Sequence, residues 1–93
     1  MATVEAHQPR SAATVEQLLG RTVRYQKHKP GRHLSVERLP KESFQIETIH
    51  RFGSRVVLND GLIVLEDAPT VMERRGRIGL LLKTGEELYF TVE

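Results

Sequence analysis

The sequence predicts a mainly β protein, a small SH3-like or OB-like barrel or a sandwich built from hairpins, with one short N-terminal helix. Three observations carry this prediction. Apolar residues recur at every second position in several short runs, which is typical of strands with one buried face. Short turns rich in Gly, Pro and Asn separate these runs. The chain has 93 residues, enough for one core and too few for two.

The first part of the chain lacks any apolar period. Residues 1–13 mix Ala, His, Gln, Pro, Arg and Ser, a composition that buries too little apolar surface to order itself. We therefore expect a flexible N-terminal tail over residues 1–13. Residues 14–93 are assigned to a single small β domain.

A short helix is predicted directly after this tail. Thr14 is a residue type that caps helix N-termini, Gln17 follows three positions later, and Gly20 supplies a stop. The apolar face of this helix is Val15, Leu18 and Leu19. Because it has fewer than two turns, it must dock this face on the rest of the domain.

Twofold alternation begins after Gly20, with Val23 and Tyr25 on one face of a first strand. A basic loop follows, and its Pro30-Gly31 dipeptide predicts a type II turn. Leu34 and Val36 predict a second strand, which Pro40 ends. A third strand is predicted to begin with Phe44, Ile46 and Thr48 and to run toward Arg51.

Two hairpins are predicted in the second half of the chain. Val56–Leu58 and Leu62–Leu65 flank a turn that contains Asp60-Gly61, which favours a tight hairpin. The other hairpin turns at Thr84-Gly85, and its predicted core residues are Ile78, Leu80, Leu82, Leu88 and Phe90. Between them, Thr70–Met72 is predicted as a brief strand of undetermined pairing.

Signatures of catalysis, metal binding and cofactor binding are weak or missing in the sequence. The chain has no Cys, and its serines lie in no nucleophile turn. The acid pairs Glu66-Asp67 and Glu86-Glu87 are expected at strand ends, facing water. His28 and His33 flank a basic loop, where like charges oppose a metal ion. We therefore expect no enzyme, no cofactor and no metal.

Basic residues form two groups, although the formal net charge is only +2. In residues 21–41 seven Lys and Arg stand against one acid, Glu37, and a second group precedes the last hairpin. The exposed face of the first strand and the distant loop are expected to meet as a positive groove, to which Tyr25 adds a stacking ring. The candidate binding residues are Arg21, Arg24, Tyr25, Lys27, Lys29, Arg32, Arg38, Arg74, Arg75 and Arg77.

Two functions remain open from the sequence. Alternation places apolar residues on an outer sheet face, namely Val57, Ile63, Leu65 and Leu81, which favours a non-catalytic protein-interaction or regulatory module. Its basic loops would then face an acidic protein partner, and a homodimer is an alternative. The other function is nucleic-acid binding through the basic groups. No apolar run approaches the length of a membrane span, and the default expectation is a cytoplasmic protein with no membrane contact.

Overall fold

The computed structural model describes residues 14–93, and the predicted tail lies outside them. The described chain holds nine strands and two turns of 3-10 helix, Val15–Leu18 and Asn59–Gly61. The strands are β1 (Thr22–Lys29), β2 (Leu34–Val36), β3 (Phe44–Gln45), β4 (Ile49–Phe52), β5 (Arg55–Leu58), β6 (Ile63–Leu65), β7 (Thr70–Arg74), β8 (Arg77–Leu81) and β9 (Glu87–Val92). The mainly β prediction is thus confirmed.

The strands form two antiparallel sheets. One has five strands in the order β3-β1-β9-β8-β7, and the other has four in the order β2-β6-β5-β4. Each sheet keeps two edge strands, so within residues 14–93 no closed barrel forms and the barrel form of the prediction is not found. The reason is that β3 and β4 pair with strands of different sheets, which interrupts the hydrogen-bonded ladder.

Both sheets contribute to one buried cluster of side chains. Val23, Ile78 and Phe90 come from the five-stranded sheet, and Val56 and Ile63 come from the four-stranded sheet. The five core residues predicted for the last hairpin are all buried, which confirms that prediction: Ile78, Leu80, Leu82, Leu88 and Phe90. The two sheets therefore bury their inner faces in a common core.

The predicted N-terminal helix is wrong in kind and in extent. Val15–Leu18 is a single 3-10 turn, and the Thr14 side chain makes no capping hydrogen bond. Val15 and Leu18 are buried, whereas Leu19 is 54% exposed and does not share their face. Four residues complete only about one turn, so the geometry is set by docking two side chains and by Gly20 at φ 85°.

The predicted third strand is divided between the two sheets. Its first half is β3, which pairs with β1, and its second half is β4, which pairs with β5. The Asn59 side chain replaces the missing ladder at the crossing: its Oδ1 accepts the N–H groups of Glu47 (2.6 Å) and Thr48 (3.3 Å), and its Nδ2 donates to the Gln45 carbonyl (3.0 Å). The inward-facing residues change from even positions, Phe44 and Ile46, to the odd position Ile49, so period-two alternation does not run unbroken through the crossing.

The hairpin between β5 and β6 forms with a longer connection than predicted. Leu58 pairs with Ile63, so residues 59–62 make the turn, with positive φ at Asn59, Asp60 and Gly61. Antiparallel partners share a face, and Ile63 therefore points inward with the buried Leu58. The outer position predicted for Ile63 and Leu65 is wrong, because both are fully buried.

The turn after β1 also differs from the prediction. Gly31 has no positive φ, as a type II turn at Pro30-Gly31 would require, and it bridges to Leu34 around Arg32 and His33. The glycine serves a close approach instead, because a Cβ at position 31 would overlap the carboxyl group of Glu86.

Helices long and apolar enough to cross a membrane are absent from residues 14–93.

Candidate functional site

The outer face of the five-stranded sheet brings the two basic groups of the sequence together. The strand register aligns Arg24 of β1 with Thr91 of β9, Arg77 of β8 and Arg74 of β7 in one row across the sheet. The adjacent row holds Lys27, Tyr89, Gly79 and Met72. We call this surface the basic face, and it consists of Arg24, Lys27, Met72, Arg74, Arg77, Gly79 and Tyr89.

A shallow depression of about 270 Å³ lies in this surface. Its lining residues come from β1, β7, β8 and β9: Gln26, Lys27, Met72, Arg74, Arg77, Gly79 and Tyr89. The depression therefore combines three cationic side chains with one aromatic ring and one thioether. Met72 is 49% exposed, which leaves its side chain open to a ligand.

A β-bulge in β1 puts Lys27 on the basic face. The pairing of β1 with β9 shifts between Tyr25 and Lys27, so that Tyr25 lies opposite the buried Phe90 and Lys27 lies opposite Tyr89. If Gln26 were paired in regular register, strict alternation would turn Lys27 to the same side as Tyr25. The bulge thus reverses the facing of the second half of the strand.

Tyr89 lies across the backbone of β8 at Gly79. A Cβ at position 79 would lie only 2.9 Å from Tyr89 Cε1, so the glycine makes room for the ring. The Tyr89 hydroxyl donates a hydrogen bond to Glu87 Oε1 at 3.0 Å, and this bond raises the pKa of the phenol above its ordinary value. The same hydrogen bond restrains the ring.

Three cations line the same depression as this ring: Lys27, Arg74 and Arg77. Lys27 Nζ lies 5.2 Å from the centre of the Tyr89 ring, within the range of a cation–π contact. Among residues 14–93, no carboxylate lies within 4.0 Å of Lys27, Arg74 or Arg77. Arg24 is paired with Glu93 at 3.4 Å, an exposed contact that contributes little to stability and is readily exchanged.

Other predicted binding residues lie away from the basic face or at its margin. Arg21 is held by Glu73 at 3.0 Å. Lys29 and Arg32 line a separate depression of about 280 Å³ near Glu86. Arg75 occupies the β7–β8 turn, with φ 51°, and Arg38 is exposed in the segment after β2.

Tyr25, for which a stacking role is predicted, does not lie on the basic face. Tyr25 packs against the core, and its hydroxyl is hydrogen-bonded to His28 Nδ1 at 2.8 Å. Side chains two residues apart in a strand point to the same side of the sheet, and Tyr25 is two residues after the buried Val23. Its ring therefore lies on the inner side of the sheet.

Sequence reasoning missed Tyr89, Met72 and Gly79 as site residues. The sequence did contain a signal for Tyr89, because alternation places it on the other face of the strand from the buried Leu88 and Phe90. Arg74 and Arg77 are also strand residues that face each other across a two-residue turn, not members of a loop. Thr70–Arg74 pairs with β8 along its whole length, which answers the undetermined pairing of that segment.

The remaining candidate groups are dispersed. His33 lies 3.4 Å from Glu86, whereas His28 contacts Tyr25. Glu86 is 6% exposed, which contradicts the expectation that this acid faces water. Glu87, its neighbour, lies on the outer side with Tyr89.

Comparison with models of known protein families, with curated proteins and with solved structures finds no match for this chain.

Proposed function

We propose that the protein is a non-catalytic binding module that engages a negatively charged partner through the basic face. The observation that supports this proposal is the convergence of Arg24, Lys27, Arg74 and Arg77 from three strands onto one surface. Cations collected on one surface raise the local concentration of an anionic partner and speed its association. Acidic protein surfaces, for an interaction or regulatory module, and nucleic acids both have this chemistry.

The apolar sheet face is the weaker support for a binding function. Ile63 and Leu65 lie in the core, so the outer apolar residues named from the sequence are reduced to Val57 and Leu81, both half-buried. Phe52, at 63% exposure, lies on a different sheet from Leu81. Dispersed apolar residues of this kind are common on protein surfaces, whereas contiguous patches mark contacts.

The test is a salt-dependent binding titration with two polyanions, a fluorescein-labelled dT12 oligonucleotide and a labelled polyaspartate. We expect the triple variant K27A/R74A/R77A to bind both probes more weakly than the unaltered protein. For the oligonucleotide, the slope of log affinity against log salt should decrease by about 0.7 for each phosphate that the variant no longer neutralises.

The matched control is R38A/K41A/K83A, which removes the same charge from exposed positions outside the basic face. This control should retain the affinity and the salt slope of the unaltered protein. Equal losses of affinity in both triple variants would show that binding depends on the net charge of the protein and not on the basic face. If neither probe binds at about 100 µM protein, the weak end of non-specific nucleic-acid affinity, the proposed function is overturned.

A further inference from the structure

We propose that the partner of the basic face is a single-stranded nucleic acid, with one base stacked on Tyr89 and adjoining phosphates held by Arg74 and Arg77. This inference rests on the proposed function and names the class of partner. It is carried by the juxtaposition of a positioned aromatic ring with cations that have no carboxylate partner in the described chain.

The Tyr89 ring is positioned in advance of any ligand. Gly79 lets it approach the β8 backbone, and the bond from its hydroxyl to Glu87 limits rotation of the side chain. A ring held against a sheet presents one π face outward, which is the geometry of base-stacking platforms. Because every base has a π face, such a platform is tolerant of sequence.

Lys27 marks the accessible side of that ring. Its ammonium group lies over the ring and not in a carboxylate pair within residues 14–93, on a flexible four-carbon side chain. An incoming base takes the place of the ammonium, which then meets the phosphate attached to that nucleotide. The lysine thus exchanges its cation–π contact with Tyr89 for a charge-assisted hydrogen bond to the phosphate.

The arginines lie at a suitable distance from the platform. Arg77 and Arg74 face each other across the β7–β8 hairpin, two residues along the strands from the row of Tyr89 and Met72. Two residues of a strand span about 7 Å, so the guanidinium groups reach the backbone of a nucleotide whose base lies on Tyr89. Glu87 and the Arg24–Glu93 pair border the surface on opposite sides.

Neither an acidic protein nor a duplex uses all of these features. An acidic polypeptide satisfies the cations through its carboxylates but supplies no ring to the Tyr89 platform. A duplex presents phosphates but keeps its base faces stacked inside the helix. The combination of an outward-facing ring with cations that are unpaired within the described residues therefore favours unpaired bases.

The experiment compares three probes on the full chain: dT12, an abasic 12-mer with the same phosphates, and polyaspartate. We expect dT12 to bind about 5- to 150-fold more tightly than the abasic strand, the range that corresponds to one stacked base. Y89L should reduce dT12 affinity to the abasic level. Y89F, which keeps the ring and its space over Gly79 but loses the bond to Glu87, should still bind dT12 more tightly than the abasic strand.

Tyrosine fluorescence provides a second readout that does not depend on the stability of Y89L. The chain has two Tyr and no Trp, so Y25F leaves Tyr89 as the only emitter. Its emission should be quenched by dT12 and unaffected by the abasic strand. In Y89F, where Tyr25 emits, dT12 should cause no quenching.

The outcomes separate the two proposals. If dT12, the abasic strand and polyaspartate bind equally tightly, and Tyr89 emission is unchanged, the inference fails while the proposed function stands. Binding of polyaspartate alone would identify an acidic protein partner and likewise overturn the inference. If no probe binds, both proposals fail.

Discussion

Gly31 packs so closely against Glu86 that a Cβ at position 31 would overlap the Glu86 carboxyl group. The Glu86 side chain is 7% exposed, and its Oε2 accepts the N–H of His33 at 2.7 Å. Its Oε1 is buried and has no hydrogen-bond partner in the described chain. A buried carboxylate oxygen without a hydrogen-bond partner lowers the stability of the fold. The other oxygen of Glu86 holds the β1–β2 loop against the β8–β9 turn.

Replacing Gly31 with alanine should therefore destabilise the protein by about 1 to 3 kcal/mol through overpacking against Glu86. The cause can be isolated with a double-mutant cycle, in which G31A is introduced into an E86A background that removes the facing carboxylate. We expect most of the G31A penalty to disappear there in urea unfolding. An equal penalty in both backgrounds would place the cause in the backbone and not in the contact with Glu86.

At the scale of elements, the 3-10 turn Val15–Leu18 is held by a charge pair as well as by packing. Glu16 on this turn accepts hydrogen bonds from Arg51 on β4, with Arg51 Nη2 and Glu16 Oε1 at 2.9 Å. The bond from Arg51 is the main reason why the pKa of Glu16 is lowered from 4.5 to about 2. The pair thus connects the beginning of the domain to an edge strand of the four-stranded sheet.

This pair predicts a specific loss of stability in acid. A carboxyl group with a lowered pKa stabilises the fold above about pH 4.5, and this contribution is lost as the pH falls toward about 2. Because the two side chains are 40% and 47% exposed, the contribution should not exceed about 1 kcal/mol. Urea unfolding from pH 2 to 7 should show a shallower decline for E16Q than for the unaltered protein.

The control for this experiment is E42Q, since Glu42 is exposed and makes no ion pair in residues 14–93. Its pH profile should run parallel to that of the unaltered protein over the same range. Superimposable profiles for E16Q and the unaltered protein would contradict a stabilising role for the Glu16–Arg51 pair.

At the scale of the whole molecule, stability depends on the core shared by the two sheets. Phe90 is fully buried, and its ring meets that of Phe44 edge-to-face at 5.9 Å between centroids. Phe52 offers a contrast within the same protein, because it is 63% exposed at the end of β4.

Truncating these two phenylalanines should therefore have unequal effects. We expect F90A to lower the free energy of unfolding by about 3 to 5 kcal/mol, because burial is lost and a cavity remains. F52A should change it by no more than about 0.5 kcal/mol. Comparable losses at both positions would show that Phe52 is buried in solution, for example by self-association, which analytical ultracentrifugation would detect.

The local pattern of apolar and polar residues was sufficient to predict several features of this molecule. Alternation around Thr84-Gly85 predicted the last hairpin and its five core side chains, because β8 and β9 are adjacent in sequence and share a register set by a short turn. The outward facing of Tyr89 was contained in the same alternation. The mainly β class followed from the same period.

The β class, the last hairpin and the presence of two basic groups could thus be predicted from local sequence patterns. That these groups meet depends on the order of strands in the sheet, because the row from Arg24 to Arg74 requires β9 to lie between β1 and β8. The tertiary structure also sets the facing of Lys27, through the bulge at Gln26, and the change of sheet after Gln45. The physical reason is that alternation reports only the nearest residues of one strand, whereas bulges and sheet membership are set by hydrogen bonds to distant strands.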